Sequence, residues 1–518
     1  LMPKKGELLA MGRRPTRLLG LSLMVASVWL RFAQPLLLPM FHDEGLHISR
    51  AQQVWATRDL LVGTEGGKYL QVWLLAVLLP ICDDPLLAAR CLAAGIGLLG
   101  NLGCFLLAYH LYRRAEVALL AAAWYAVLPY TLFFDRMGLA DGLLSAMAIW
   151  SLLLSLIVVR RGRWWQVLAL GLIMGMAAAA KLSGALCLLF PLLAAWQWRV
   201  GQSWRVCWPR LLIAWAVALP WLLPSGLTIY PQLKSALARS WLDAQVEGLP
   251  HTWRLAGNLG VIGTTLWNYL TPPLTVLALF EVFASWHQRR RASWLLTLTA
   301  LITVLFFFAT AAPDKFYPRY LLPAFPFLLI LSAQALVICV DGLSWLRSHL
   351  SVRGVAVIGL ALLVSGPAIR FDYWLLTDPT RAAWLAIDRW QYINGWPAGY
   401  GVVDAASYLR QQADQLGTII VVRRATNLLR TGSWRHYLDQ PNILLEPISF
   451  ERSDPDWLIQ RLKQAPAPVF VTLDRPDEDI YAERFARGPF APYSTLLATF
   501  PRPDHASWIE IYRASYSP

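Results

Sequence analysis

Apolar runs long enough to cross a membrane recur from residue 18 to residue 371, and they limit the fold more than any other feature. About 20 consecutive apolar residues are needed to cross the hydrocarbon core of a bilayer as a helix. The chain of 518 residues is 57% hydrophobic and only 15% charged, whereas soluble domains carry about 25% charged residues. The sequence therefore predicts a polytopic α-helical membrane protein.

Basic residues lie between the apolar runs and set the predicted orientation. The net charge is +14, which in a soluble protein would suggest a nucleic-acid partner. Here the arginines follow the positive-inside rule, under which cytoplasmic loops carry the excess of Lys and Arg, so no nucleic-acid partner is expected. Five cations before the first run place the N-terminus in the cytoplasm: Lys4, Lys5, Arg13, Arg14 and Arg17.

The run YLQVWLLAVLLPIC (69–82) decides the topology. It is short for a span, and if it crossed the membrane every later basic loop would face outward. If it lies in the interface instead, all these loops become cytoplasmic. With that choice we expect about eleven spans and a C-terminus outside. The expected spans are 18–38, 85–110, 115–133, 142–159, 164–180, 182–198, 211–229, 258–286, 293–312, 319–340 and 354–371.

From residue 377 the apolar runs shrink to strand length, which divides the chain into a membrane domain (1–376) and a small C-terminal domain (377–518). Helical patterns at 402–415 and 454–465 alternate with these short runs, as in an α/β domain. The topology places this domain on the extracytoplasmic side. The expected strands are TIIVV (418–422), NILLE (442–446), PVFVTL (468–473), STLLATF (494–500) and WIEIY (508–512).

The outward loops of this topology mix acids with bases, whereas the inner loops are almost purely basic. Asp43 and Asp141 lie at the mouths of spans on the outer side, where one carboxylate can act as a general base and another can orient it or bind a metal. Lys68, Arg136 and Arg319 can neutralise a phosphate. Simpler roles compete: an Asp at a span end can cap a helix, and Lys68 can be an interface anchor.

The order of several segments resembles the GT-C superfamily, the polytopic glycosyltransferases that use polyprenyl-phosphate sugars. The branch it resembles most contains protein O-mannosyltransferases and lipid A aminoarabinose transferases. The resemblance covers roughly residues 18–340, and each segment is weak by itself. The segments are HDEGLH (42–47), GGKYLQVWLLAVLL (66–79), ARCLAAGIGLLGNLGCFLLAYHLYRR (89–114), LPYTLFFDRMGLADGLLSAMAIW (128–150), AAKLSGALCLLFPLL (179–193) and PRYLLPAFPFLLIL (318–331).

The resemblance implies a role for each matching residue. Asp43 matches the catalytic base, with Glu44 beside it, and Asp141 matches the acid of the second outer loop. Arg136 precedes Asp141, as an arginine often does in this branch.

Three further positions match donor-phosphate contacts: Lys68, and Tyr320 with the adjacent Arg319. Glu65 resembles an acid that helps to hold a metal ion, and Asp141 and His42 are its expected partners. The family often has a proline pair near Lys68, where this chain reads GGKYLQ.

The expected activity is an inverting transfer of a sugar from a polyprenyl phosphate to a hydroxyl on the extracytoplasmic face of a bacterial inner membrane. The acceptor can be a protein, a lipid or a glycan, and the metal (Mg, Mn or Zn) is left open. A transporter or flippase of lipid-linked sugars is the main alternative. That class usually shows charges near the bilayer midplane and an internal repeat, and here Lys181 is the main charge of this kind. A catalytically inactive scaffold is a further alternative.

Overall fold

A computed structural model describes residues 14–61, 67–198, 204–224, 251–311, 316–343, 350–424, 432–448, 460 and 462–516. Of these described residues 75% are helical, and a small sheet lies near the C-terminus. The chain forms two compact units. The first comprises Leu1–Pro35, Leu60–Leu74 and Arg90–Thr377, and the second comprises Leu36–Asp59, Leu75–Ala89 and Asp378–Pro518.

Helices account for nearly all of the described structure up to Thr377. They are α1 Arg14–Phe32, α2 His42–Thr57, α3 Tyr69–Leu78, α4 Pro85–Tyr112, α5 Ala115–Val127, α6 Pro129–Phe134, α7 Ala140–Arg161, α8 Trp164–Ala180, α9 Phe190–Trp198, α10 Trp204–Ala218, α11 His251–Thr265, α12 Pro272–Gln288, α13 Arg291–Thr310, α14 Phe325–Gly342 and α15 Leu350–Thr377. Short 3-10 segments precede α9 (Leu182–Leu189) and α14 (Pro318–Ala324).

Several helices of the first unit have the length and composition of membrane spans. In the described part of the chain, five helices are long and apolar enough to cross a bilayer, or six when a bent pair counts as one span. Shorter apolar helices accompany them at Leu18–Phe32, Tyr69–Ile81, Ala115–Val127, Trp164–Ala180 and Leu182–Gln197. The protein is therefore an integral membrane protein, while the number of eleven spans stays a prediction.

The segment predicted as a span at 258–286 is bent. Leu255–Leu270 and Pro272–Gln288 meet at an angle of 113°. The break lies at Thr271, which has φ 73° and ψ 148°. Two prolines follow it, and a proline disfavours the helical conformation in the residue before it. This local chemistry breaks a segment whose hydropathy is continuous.

The short run at 69–82 forms helix α3 of ten residues, extended by a 3-10 turn over Leu79–Ile81. At 1.5 Å per residue, an α-helix of this length rises about 15 Å, roughly half of the hydrocarbon thickness. The helix is thus too short to cross a bilayer by itself, as the predicted topology requires.

The second unit contains a five-stranded sheet, and all five predicted strands are confirmed. The strands are β1 Ile419–Arg424, β2 Ile443–Ile448, β3 Val469–Arg475, β4 Ser494–Pro501 and β5 Trp508–Ala514. Their order is β2-β1-β3-β5-β4. Strand β1 runs parallel to both β2 and β3, whereas β5 is antiparallel to β3 and β4.

Helices cover both faces of this sheet. The helix predicted at 402–415 is confirmed as α17 (Val402–Leu416), which follows the single turn α16 (Ala386–Arg389). Its Leu409 packs on one face with Val421 and Ile511. The remaining helices are α18 (Ser433–Leu438) and α19 (Asp479–Ala486), and Phe485 of α19 packs on the other face. Most of the helix predicted at 454–465 lies outside the described residues.

Helix α2, from the first predicted outer loop, belongs to this second unit. Its Gly45 lies against the backbone that opens α18, and a Cβ at this position would lie 2.6 Å from the carbonyl carbon of Gly432. Nearby, the backbone N–H of Met40 donates to the Tyr437 hydroxyl at 2.9 Å. The second unit is thus built from segments that are far apart in the sequence.

Candidate functional site

A buried ion pair in the first unit is the centre of the candidate site. The Nζ of Lys181 donates a hydrogen bond to Oδ1 of Asp141 at 2.8 Å. The side chain of Asp141 is only 5% exposed and that of Lys181 is 17% exposed. Because a lone buried charge is costly, each group helps to keep the other ionised.

Helix ends bring these two residues together. Asp141 lies in the first turn of α7, where the free backbone N–H groups favour a negative charge. Lys181 directly follows α8, with extended backbone at φ −163° and ψ 142°. This change of direction ends α8 and lets the 3-10 segment Leu182–Leu189 begin. The sequence shows Lys181 only as a charge near the bilayer midplane, which favours a transporter, and no sequence pattern reveals its pairing with Asp141.

An aromatic side chain, Tyr320, lies beside this ion pair. The Lys181 ammonium lies 4.4 Å from the centre of the Tyr320 ring, within the range of a cation–π contact. Tyr320 belongs to the 3-10 segment Pro318–Ala324 and stacks on Phe307 of α13, with ring centres 5.1 Å apart. The guanidinium of Arg319 lies 5.2 Å from the centre of the Tyr317 ring.

Two further cations act electrostatically on the pair. Lys68 and Arg319 are both close enough to influence the charges of Asp141 and Lys181. Three cations thus face one carboxylate, an excess of two positive charges in a largely buried place. Such a cluster can hold an anion, and phosphate is one of the anions that Lys and Arg bind in proteins. The structure therefore brings together the predicted Asp141, Lys68, Arg319 and Tyr320.

Arg136 lies in a different cluster. Its Nη1 donates to the carbonyl of Leu30 at 2.6 Å, and its Nη2 donates to the carbonyl of Gln34 at 3.1 Å. The adjacent Asp135 pairs with buried Arg31 at 2.7 Å. Arg136 thus ties the end of α1 to the loop before α7, which is a structural task. Its predicted contact with a donor phosphate stays a prediction without support from these contacts.

The first acidic motif lies in the second unit. Glu44 is fully buried, and its Oε2 accepts a hydrogen bond from the backbone N–H of Phe41 at 3.0 Å, so it caps α2. Asp43, in the first turn of the same helix, is only partly buried. His42 is buried against Trp396, with ring centres 5.1 Å apart. Burial lowers the pKa of His42, against the opposing effect of Asp43.

The residues predicted to bind a metal do not form a recognisable site in the described part of the chain. No group of three or more His, Cys, Asp and Glu side chains there could hold a metal ion. Asp141 already pairs with the Lys181 ammonium, and His42 belongs to the second unit. Glu65 lies outside the described residues.

The overall fold is similar to that of several solved structures, so the expected polytopic helical membrane fold with a small C-terminal α/β unit is confirmed, apart from its number of spans. This rests on comparison with solved structures, since no protein-family model and no curated protein matches the sequence.

Two similar solved structures are of ArnT from Cupriavidus metallidurans. The apo structure has a TM-score of 0.62 at 14% identity and covers 95% of this chain and 97% of that one. The structure bound to undecaprenyl phosphate has a TM-score of 0.60 at 15% identity and covers 97% of this chain and 98% of that one. A third similar structure is that of an oligosaccharyltransferase from Archaeoglobus fulgidus in complex with Zn and sulfate. It has a TM-score of 0.53 at 13% identity and covers 94% of this chain and 72% of that one.

Proposed function

We propose that this protein is a membrane glycosyltransferase that takes a sugar from a polyprenyl-phosphate donor. The observation that carries the proposal is the buried cluster in which Lys181 pairs with Asp141, while Lys68 and Arg319 lie close enough to act on its charge. Its excess of two positive charges suits a phosphate whose negative charge grows as it leaves. The undecaprenyl phosphate bound to ArnT, a protein of the same fold, supports a lipid phosphate as the ligand.

The cations would stabilise the transition state more strongly than they stabilise the bound sugar donor. In the donor, the phosphate is a diester with one negative charge. When the bond between the anomeric carbon and the phosphate oxygen breaks, the electron pair stays on that oxygen, and the phosphate gains a second charge. Hydrogen-bonding and cationic groups that are already in place where negative charge develops are a large source of rate enhancement. These groups are the side chains of Lys68, Lys181 and Arg319. Asp141 fixes the position of the Lys181 ammonium.

Asp43 is our candidate for the general base, by its resemblance to the family position and its partly exposed place at the start of α2. Its carboxylate would take the proton of the acceptor hydroxyl while the oxygen forms a bond to the anomeric carbon. A single displacement of this kind inverts the anomeric centre. Glu44 acts on the helix instead of the substrate, because its carboxylate caps α2. The acceptor can be a protein, a lipid or a glycan.

No step is assigned to a metal ion. The oligosaccharyltransferase of the same fold was crystallised with Zn. In this chain, however, the position next to Oδ1 of Asp141 is held by the ammonium of Lys181. The described residues therefore do not fit a metal at Asp141.

The proposal is tested by sugar transfer with purified protein, with a lipid extract of the expressing cells as the donor pool. Asp43→Asn keeps the size of the side chain and removes the base, which typically contributes about 10²–10⁴-fold to a rate. We expect a loss in this range, with thermal stability unchanged. Asp404→Asn, at an exposed position of α17, is the matched control and should keep full activity. Transfer by Asp43→Asn at the wild-type rate would refute the role of Asp43.

A further inference from the structure

The second unit contains a buried cluster of polar side chains with no part in the proposed transfer reaction. Asp474, near the end of β3, receives hydrogen bonds from Nη2 of Arg423 and from Nη2 of Arg502. All three side chains are at least nine-tenths buried. Glu478 also lies nearby, and its Oε2 accepts from the backbone N–H of Asp474 at 2.8 Å.

This cluster has more hydrogen-bond donors than acceptors. Four buried donor atoms have no hydrogen-bond partner among the described residues: Nη1 of Arg423, Nε and Nη1 of Arg502, and Nε1 of Trp434. The ring of Trp434 lies 4.9 Å from the guanidinium carbon of Arg423. Nε2 of His42 is also buried and has no partner within the described ranges, and His42 is close enough to be affected by the charges of both Arg423 and Asp474. Because buried donors are normally satisfied, these donors call for an acceptor that the described part of the chain does not supply.

The sheet topology independently points to the same place. Strands β2 and β3 lie on opposite sides of β1 and run parallel to it. The chain therefore leaves β1 in one direction for β2 and crosses to the other side for β3. In parallel sheets, ligands bind at the carboxyl ends of two neighbouring strands whose following connections lead to opposite sides of the sheet. Arg423 and Asp474 lie near the carboxyl ends of β1 and β3. Arg502 directly follows β4, which runs in the same direction as β3.

We propose that the second unit binds a phosphate group at the carboxyl ends of β1 and β3, through Arg423, Arg502 and Trp434. Arginine presents planar pairs of N–H groups that match the oxygens of a phosphate. Each guanidinium gives one nitrogen to Asp474, which holds it in place, and keeps other N–H groups for the ligand. All of these residues belong to the second unit, whereas the Lys181 cluster belongs to the first.

The test uses the purified full-length protein in detergent and two probes at constant ionic strength. Inorganic phosphate represents the free ion, and a short-chain phosphatidic acid carries the same group on a lipid. Binding is followed by the increase in melting temperature and by calorimetry. A response to both probes indicates a site for the phosphate group in either form, and a response to one identifies its source. No response to either probe, as expected if water fills the site, would overturn the proposal.

Three variants locate the binding. Arg423→Lys keeps the ion pair with Asp474 but loses the planar fork, and we expect affinity for the responding probe to fall at least tenfold. Arg513→Gln changes an exposed arginine of the same sheet and should bind like the wild type. Lys181→Gln weakens the other cationic cluster and should also keep this binding. Equal affinity of Arg423→Lys and the wild type would contradict the proposal, as would loss of all binding in Lys181→Gln.

A second measurement applies if Arg423→Lys does not fold. Hydrogen exchange of the wild-type protein is compared with and without the responding probe. We expect slower exchange in peptides that contain the ends of β1 and β3 and the residues after β4. Unchanged exchange in these peptides at saturating probe would overturn the proposal.

Discussion

Removal of the Lys181 ammonium tests both the structural and the chemical role of the candidate site. In Lys181→Gln, Asp141 keeps a buried carboxylate that has lost the hydrogen bond of 2.8 Å. Breaking a buried ion pair by removing one partner costs about 3–5 kcal/mol. Lys68 and Arg319 still act on Asp141, so we expect a loss of stability at the lower end of this range.

The same change removes one of three cations from the proposed phosphate site. A hydrogen bond to a charged group contributes about 1.5–3 kcal/mol, which corresponds to about a 10- to 150-fold increase in Kd. The assay is binding of undecaprenyl phosphate to the purified protein, together with thermal unfolding. Arg163→Gln is the matched control, because Arg163 is exposed and directly precedes α8. It should change neither the affinity for undecaprenyl phosphate nor the stability.

A double variant separates the two effects. Lys181→Gln with Asp141→Asn no longer buries an unpaired charge, so it should regain part of the lost stability. It still lacks the ammonium, so its affinity for undecaprenyl phosphate should stay low. If Lys181→Gln folds and binds undecaprenyl phosphate within twofold of the wild type, the reasoning about this cluster is refuted.

Three other predictions follow from the contacts. Arg136→Ala should lower the free energy of unfolding by about 1.5–3 kcal/mol through its lost bonds to Leu30 and Gln34, with the affinity for undecaprenyl phosphate unchanged; weaker binding at equal stability would show a direct phosphate contact. Burial lowers the pKa of His42 below its ordinary 6.5, so below about pH 6.5 the unfolded chain takes up a proton that the folded chain excludes. The melting temperature of the wild type should therefore fall more between pH 7 and pH 5 than that of His42→Gln, and equal falls would contradict this. Dialysis against EDTA should leave sugar transfer unchanged, and a loss restored by one added metal would show that a metal is required.

Much of the second unit was predictable because its signals are local. The five strands are short runs rich in β-branched and aromatic residues between turn residues, and each forms in the structure. The addition of α2 to this unit was not predictable. It depends on the close approach of Gly45 to the backbone of Gly432, a contact between residues almost 400 positions apart that no local pattern encodes.

The candidate site was predictable in part. Asp141, Lys68, Arg319 and Tyr320 were identified from their place in the outer loops and from the resemblance, and the structure brings them together. Lys181 was visible as a lone cation among alanines, and charges in such segments are usually functional. Its partner could not be known, because the pairing depends on how the end of α8 meets the start of α7. Arg136 has the composition of a phosphate ligand, but only the structure shows that its guanidinium binds backbone carbonyls.

Mass spectrometry of cell-envelope glycoconjugates and lipids, with and without the protein, tests the central claim most directly. With the wild-type protein, we expect an envelope molecule to carry one additional sugar. Cells without the protein, or with Asp43→Asn, should lack this sugar and accumulate a polyprenyl-phosphate sugar. Identical glycoconjugates and identical polyprenyl-phosphate lipids in all three strains would contradict the assignment as a glycosyltransferase.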